Sequence, residues 1–157
     1  AMNLSQVLKG REFVSLASSD CSGRPNNAPK FLLKFEKPYL YLVDYSYGTT
    51  HENLKSNPQA CLSFMDLDNL EGYRVYGAVE LIEKGPVFKA LAKEVDRKHI
   101  QLSATRVIEA SRTGKKFTHF ELEMPEKFTV IKFKIKELTK IGTRGDFYRE
   151  TDHRKVQ

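Results

Sequence analysis

YLYLVDYSYGTTHENLKSNPQACLSF, residues 39–64, sets two strand patterns on either side of a polar turn and a short helix. Tyr39, Tyr41, Val43, Tyr45 and Tyr47 alternate with Leu40, Leu42, Asp44 and Ser46, a period of two with both faces largely apolar at its start. Gly48 permits a tight bend, and Thr49 and Thr50 are N-cap residue types ahead of His51-Glu52-Asn53-Leu54. Asn57-Pro58 ends the helix, because proline disfavours helical geometry in the residue before it. Ala60, Leu62 and Phe64 then resume the alternation. A helix N-terminus at a strand end offers free backbone N–H groups to an anion, but capping requires the same residues. A phosphate site and a well-capped turn both stay open on these residues alone.

The chain has 157 residues, a size that suits one domain with a single substantial core. Its 40% hydrophobic and 29% charged residues are ordinary for a globular protein. No apolar run reaches the roughly 20 residues that span a bilayer, and no secretory-type apolar core follows the start, so the expected location is the cytoplasm. Cys21 and Cys61 make neither a disulfide framework nor a metal cluster and read as reduced thiols. The net charge of +6 is spread along the chain. Lys132, Lys134 and Lys136 alternate with Ile131, Phe133 and Ile135, which suits the wet face of a strand better than a nucleic-acid patch. His51, His99, His119 and His153 are isolated, so no metal site is expected, and no P-loop, G-x-G-x-x-G or G-x-S-x-G occurs.

Working outward toward the start, Phe31, Leu33 and Phe35 alternate with Lys30, Lys34 and Glu36. RPNNAP, residues 24–29, has two prolines and suits an edge or irregular lead into that strand. Phe13 to Ser18 is a further strand, closed by the turn cluster Asp20-Cys21-Ser22-Gly23, and residues 3–10 form a short helix. The first three strands are thus expected to meander up and down. Toward the end, residues 72–82 read as a long strand, with Gly77 marking a bulge or a close backbone approach. Gly85-Pro86 opens a helix with Val87, Ala90, Leu91 and Val95 as its apolar stripe, and a separate helical piece over 103–112 ends at Gly114. Residues 117–124 are ambiguous, 128–135 read as the last clear strand, and the tail after Gly142 is charged and fragmentary. About six strands, mostly hairpin-connected, with two or three helices argue an α+β domain built on an antiparallel barrel.

The order of these features resembles a known family. A G-x-P turn (Gly23-Arg24-Pro25) between two strands, the turn at 48–50, N-L-x-x-N-P (Asn53 to Pro58) and a strand with R-V-x-G-x-V (Arg74, Val75, Gly77, Val79) are similar to the FMN-binding split-barrel, pyridoxamine 5′-phosphate oxidase-like proteins. The likeness covers roughly residues 5–140, and the pattern is nearest the small FMN-binding proteins. It implies a six-stranded antiparallel split β-barrel with flanking helices over residues 1–141 and a charged C-terminal tail over 142–157. It also implies FMN held at a homodimer interface, with electron transfer or oxidoreductase or flavin-reductase chemistry. Ala28, Pro29, Lys30 and Phe31 would run beside the flavin and ribityl chain. Val43, Asp44 and Tyr45 would face the pyrimidine edge, and Thr49, Thr50 and Asn53 the phosphate. Arg74, or the basic tail around Arg144, would reach across from the partner. Pyridoxamine phosphate oxidases place a basic pair where Thr49 and Thr50 stand, an arginine where Ala28 stands, and a C-terminal Trp and R-x-H segment. This chain has no tryptophan and no such segment, which speaks against pyridoxamine phosphate oxidation itself. The alternative implied by the missing cations is a split-barrel module holding haem or another anionic ligand.

Overall fold

The structure, a computed structural model, describes residues 3–117 and 127–151. In chain order these form α1 (Leu4–Leu8), β1 (Phe13–Ser19), β2 (Pro25–Glu36), β3 (Tyr39–Asp44), α2 (Thr49–Ser56), β4 (Gln59–Asp66), β5 (Glu71–Ile82), α3 (Gly85–Thr113), β6 (Thr129–Ile141) and β7 (Phe147–Thr151). The strands lie in the order β3-β2-β1-β4-β5-β6-β7, and a pairing of β3 with β6 closes the first six into an antiparallel barrel. This is the six-stranded split barrel expected from the sequence, with β7 as an additional strand on the end of β6.

The double apolar character of β3 now has a cause. Leu40 and Leu42 point into the barrel with Leu16, Leu62, Val75, Ile131 and Phe133, while Val43 joins a second cluster outside it. That second cluster packs Phe31, Leu33, Val43 and Val130 against Leu91 and Val95 of α3. The strand is apolar on both faces because one face meets the barrel interior and the other meets a helix.

Closure depends on Gly77. The register of β5 against β6 shifts between Tyr76 and Gly77, so the bulge lies where the sequence places it. A Cβ at Gly77 would sit 2.4 Å from the carbonyl oxygen of Lys134 and 2.4 Å from Cε1 of Phe133, so the close backbone approach is also present.

Several local expectations are corrected. β3 stops at Asp44, so Tyr45 and Tyr47 lie beyond the strand. Gly48 is the N-cap of α2 and no side chain caps it; Thr49 and Thr50 are the helix's first residues rather than its caps. Of the two readings of RPNNAP the edge holds and the irregular lead does not: β2 begins at Pro25 and pairs in regular register with β1. The two helical pieces after Gly85 are one helix of 29 residues, since no glycine or proline interrupts the chain between Pro86 and the left-handed C-cap Gly114. β6 continues to Ile141, and part of the tail pairs with it as β7 instead of remaining fragmentary. The ambiguous stretch from residue 118 on lies outside the described residues.

The lysine strand is as expected. Lys134 and Lys136 are exposed on β6, and Lys132 lies over the ring of Tyr39 at 4.4 Å. Both cysteines are free, and burial pushes the Cys61 thiol above its ordinary value, as befits an unreactive one. Among the described residues no His, Cys, Asp and Glu grouping could hold a metal, and no helix is long and apolar enough to cross a membrane.

Candidate functional site

β3 leaves β2 at Phe31, so from Pro25 to Lys30 β2 is paired on one side only, with β1. This open edge is where a sheet tolerates the two prolines. It also leaves backbone groups free for something other than a strand. The N-terminus of α2 meets one end of the edge. There Asp20, Arg24, Pro25, Asn26, Thr49, Glu52, Asn53 and Ser56 line a cavity of about 380 Å³. Further along the edge, Asn27, Ala28 and Pro29 line a shallower cavity of about 500 Å³ with Arg11, Phe13, Ser15, Ser63 and Phe64.

α2 is fastened over the end of β1 and β2 by amides. Asn53 Nδ2 donates to Ser18 Oγ at 3.2 Å, and Asn57 Nδ2 donates to the carbonyl of Ser19. Asn26 Nδ2 donates to Thr50 Oγ1 at 3.0 Å. Thr50 and Asn53 are both buried, whereas Thr49 is exposed in the cavity. With no side-chain cap on α2, the first N–H groups of the helix stay free of side-chain partners.

Lys30 and Asp44 continue the inward parity of Leu32 and Leu42 and meet at the barrel's end. Lys30 Nζ lies 2.9 Å from Asp44 Oδ1, with the side chains 8% and 1% exposed. The same oxygen accepts from the N–H and hydroxyl of Ser46 at 3.0 and 3.1 Å. Asp44 Oδ2 is buried and has no partner. A buried carboxylate oxygen without a donor is costly, and that marks it as a place where a ligand's N–H would be welcome.

Asp44 pairs across the ladder with Thr129, whose hydroxyl donates to Glu83 at 3.0 Å. Glu83 also bonds His51 of α2, and that hydrogen bond is the main reason its carboxyl is held below the ordinary range. The ring of Tyr47 packs edge-on against His51, with centroids 4.7 Å apart. On the outer side, the Tyr45 hydroxyl bonds Nε2 of His99 on α3. Burial raises the tyrosine's pKa and lowers that of the histidine.

The sequence-derived site residues therefore fall into groups. Thr49 and Asn53 share one cavity, with Thr50 bonded to Asn26 of its wall. Ala28 and Pro29 share the adjoining cavity, and Lys30 and Asp44 form a buried pair between strands. Phe31 and Val43 are sealed under α3 at 2% and 0% exposure, so only their backbones could meet a ligand. Arg74 stands on β5, three strands from β2 in the sheet, over the ring of Tyr76; within one chain it does not approach Thr49. Sequence reasoning did not single out Arg24, Asn26, Glu83 or His99 for the site. Only Arg24 carried a signal, its place in the G-x-P turn.

The class of protein is thus a split barrel whose open strand edge lies between an uncapped helix N-terminus and an unsatisfied buried carboxylate. The chain belongs to the pyridoxamine 5′-phosphate oxidase family, whose model matches residues 3–142. No curated protein matches the sequence. Among solved structures it is similar to a Clostridium acetobutylicum protein related to general stress protein 26 of B. subtilis, with TM-score 0.65 and 15% identity over 93% of this chain and 89% of that one. It is also similar to a pyridoxamine 5′-phosphate oxidase-related, FMN-binding protein of Nostoc punctiforme, with TM-score 0.56 and 14% identity over 95% and 91% of the two chains. A haem-binding protein of Mycobacterium smegmatis aligns with TM-score 0.60 and 15% identity over 94% of this chain and 56% of that one. At these identities the likeness is one of fold.

Proposed function

We propose that the chain is a cytoplasmic, homodimeric FMN-binding protein that serves in electron transfer or as an oxidoreductase. The observation that supports this best is the buried, partnerless Oδ2 of Asp44 at the Lys30 pair. An acceptor of that kind fits the ring N–H of a flavin, and the uncapped start of α2 fits a phosphate. Lys30 would hold the Asp44 carboxylate in place through its hydrogen bond to Oδ1. Thr49 and the first N–H groups of α2 would take the phosphate end, and the open edge of β2 at Ala28 and Pro29 would run beside the ribityl chain. Bound flavin supplies the redox chemistry; the protein supplies position and electrostatics. A second copy laid over the shallow cavity of Phe13 and Pro29 would exclude water from the ring.

Freshly purified protein should be yellow, with flavin absorbance that stays with it through gel filtration. A colourless protein that takes up no added FMN defeats the reading. A second reading, a module holding haem or another anionic ligand, is favoured by the threonines at 49 and 50, which bring no cation of their own. Thermal melts with FMN and with haemin separate the two, because a ligand stabilises only the state it binds.

A further inference from the structure

We infer that Arg24, on the turn between β1 and β2, is the residue that makes the site select a phosphorylated flavin, and that Glu52 opposes it; the inference rests on the flavin reading above. Among the described residues that line the cavity at the start of α2, Arg24 is the only basic one. Its guanidinium has no ion-pair partner among the described residues, although two carboxylates, those of Asp20 and Glu52, line the same cavity.

The turn holds Arg24 in place by its backbone. Asp20 Oδ1 accepts from the N–H groups of Ser22 and Arg24, each at 2.9 Å, and the Asp20 N–H donates to the Arg24 carbonyl at 3.2 Å. Gly23, at φ +84°, takes the left-handed conformation that lets the turn close. One oxygen of Asp20 is thereby committed to the turn. Glu52 has no such partner among the described residues; it sits in the first turn of α2, at the same positive helix end that would attract a phosphate.

The cavity therefore sets one guanidinium against two carboxylates. A dianion gains there chiefly from directed hydrogen bonds with the arginine fork, since the local charge balance is unfavourable to it. Removing Arg24 costs those bonds, and removing Glu52 relieves a repulsion. Among the described residues neither shares a hydrogen bond or ion pair with Lys30 or Asp44, so neither change should touch recognition of the ring.

Flavin-fluorescence titrations of wild type, Arg24→Gln, Arg24→Lys and Glu52→Gln with FMN and with riboflavin test this. Arg24→Gln should weaken FMN roughly ten- to hundredfold and leave riboflavin unchanged, with Arg24→Lys intermediate. Glu52→Gln should tighten FMN and leave riboflavin unchanged. The ³¹P resonance of bound FMN should shift in the Arg24 variants. FMN binding unchanged in Arg24→Gln, or FMN and riboflavin weakened equally, overturns the assignment. If wild type binds neither flavin, the flavin reading itself fails and this inference with it. Arg24 is exposed and contributes only its main-chain groups to the turn, so melting temperatures of the variants should match wild type and keep the comparison clean.

Discussion

Replacing Lys30 with methionine leaves a near-isosteric side chain and removes the cation that pairs with Asp44. The carboxylate then stays 1% exposed, with two donors from Ser46 on Oδ1 and none on Oδ2. Breaking a buried ion pair from one side costs about 3–5 kcal/mol, because the remaining charge is stranded. The two Ser46 bonds remain, and hydrogen bonds to a charged group contribute about 1.5–3 kcal/mol each, so the lower end of that range is expected. A loss of about 3 kcal/mol is a large share of the roughly 5–15 kcal/mol that stabilises a domain. The double variant Lys30→Met/Asp44→Leu removes both desolvation penalties at once and should return to within about 1 kcal/mol of wild type. Urea unfolding of wild type, both single variants and the double variant gives the coupling energy, provided the slope with denaturant stays constant. The same folded double variant should bind FMN and riboflavin more weakly by similar factors, because the pair addresses the ring and not the phosphate. A Lys30→Met loss below about 1 kcal/mol would refute the argument that this pair is a strained, dry one. So would a double variant no more stable than the sum of the single losses predicts.

Gly77→Ala should cost about 3 kcal/mol or more, since its Cβ would meet both the Lys134 carbonyl and the fully buried Phe133 ring; a midpoint within error of wild type in urea would contradict the bulge geometry. Thr50→Ala removes the acceptor of the Asn26 amide at the start of α2 and should weaken FMN more than riboflavin, as read by fluorescence titration; equal losses would take Thr50 out of the phosphate end. Burial holds His99 below its ordinary value of 6.5, so the unfolded chain takes up a proton there before the folded one does. Its contribution is complete above about pH 6.5 and is lost as the pH falls from there toward the lower folded value. His99→Phe should flatten that slope in urea midpoints measured from pH 7 to 5, and an unchanged slope would assign it to another group.

The fold was legible because its signals are local. Alternation at Tyr39–Asp44 and Gln59–Asp66, the break at Asn57-Pro58 and the isolated Gly77 each report on neighbouring residues, and together they fix a hairpin-connected barrel. The joined helix α3 was not legible because the buried position between its two apolar stretches is a histidine, His99, which an apolar pattern does not register. Helix continuity there rests on propensity and the absence of a breaker rather than on amphipathic pattern. β7 was missed for a related reason. Its five residues are mostly exposed and owe their conformation to the pairing with Glu137–Ile141, which no local pattern announces. Of the site, the residue types around Thr49 and Asn53 were visible, but Lys30 with Asp44 and Asn26 with Thr50 join residues 14 and 24 apart in sequence. Such partners follow from strand register, which only the closed barrel defines.

The structure also divides the labour among those residues more sharply than residue types can. Thr50 and Asn53 are the obvious hydroxyl and amide for an anion, yet each has a side-chain partner across the junction with β1 and β2. They fasten α2 to β1 and β2, and of the cavity's lining the groups left to meet a ligand would be the first N–H groups of the helix, Thr49 and Arg24. In the proposed flavin complex, selectivity for phosphate would rest on the turn before β2, and the ring's partner would be Asp44 inside the barrel. The two ends of the ligand would be read by independent elements, joined by the one stretch of β2 that has no strand on its open side. Pairing that edge with a strand would close the barrel more completely and leave a flavin nowhere to lie.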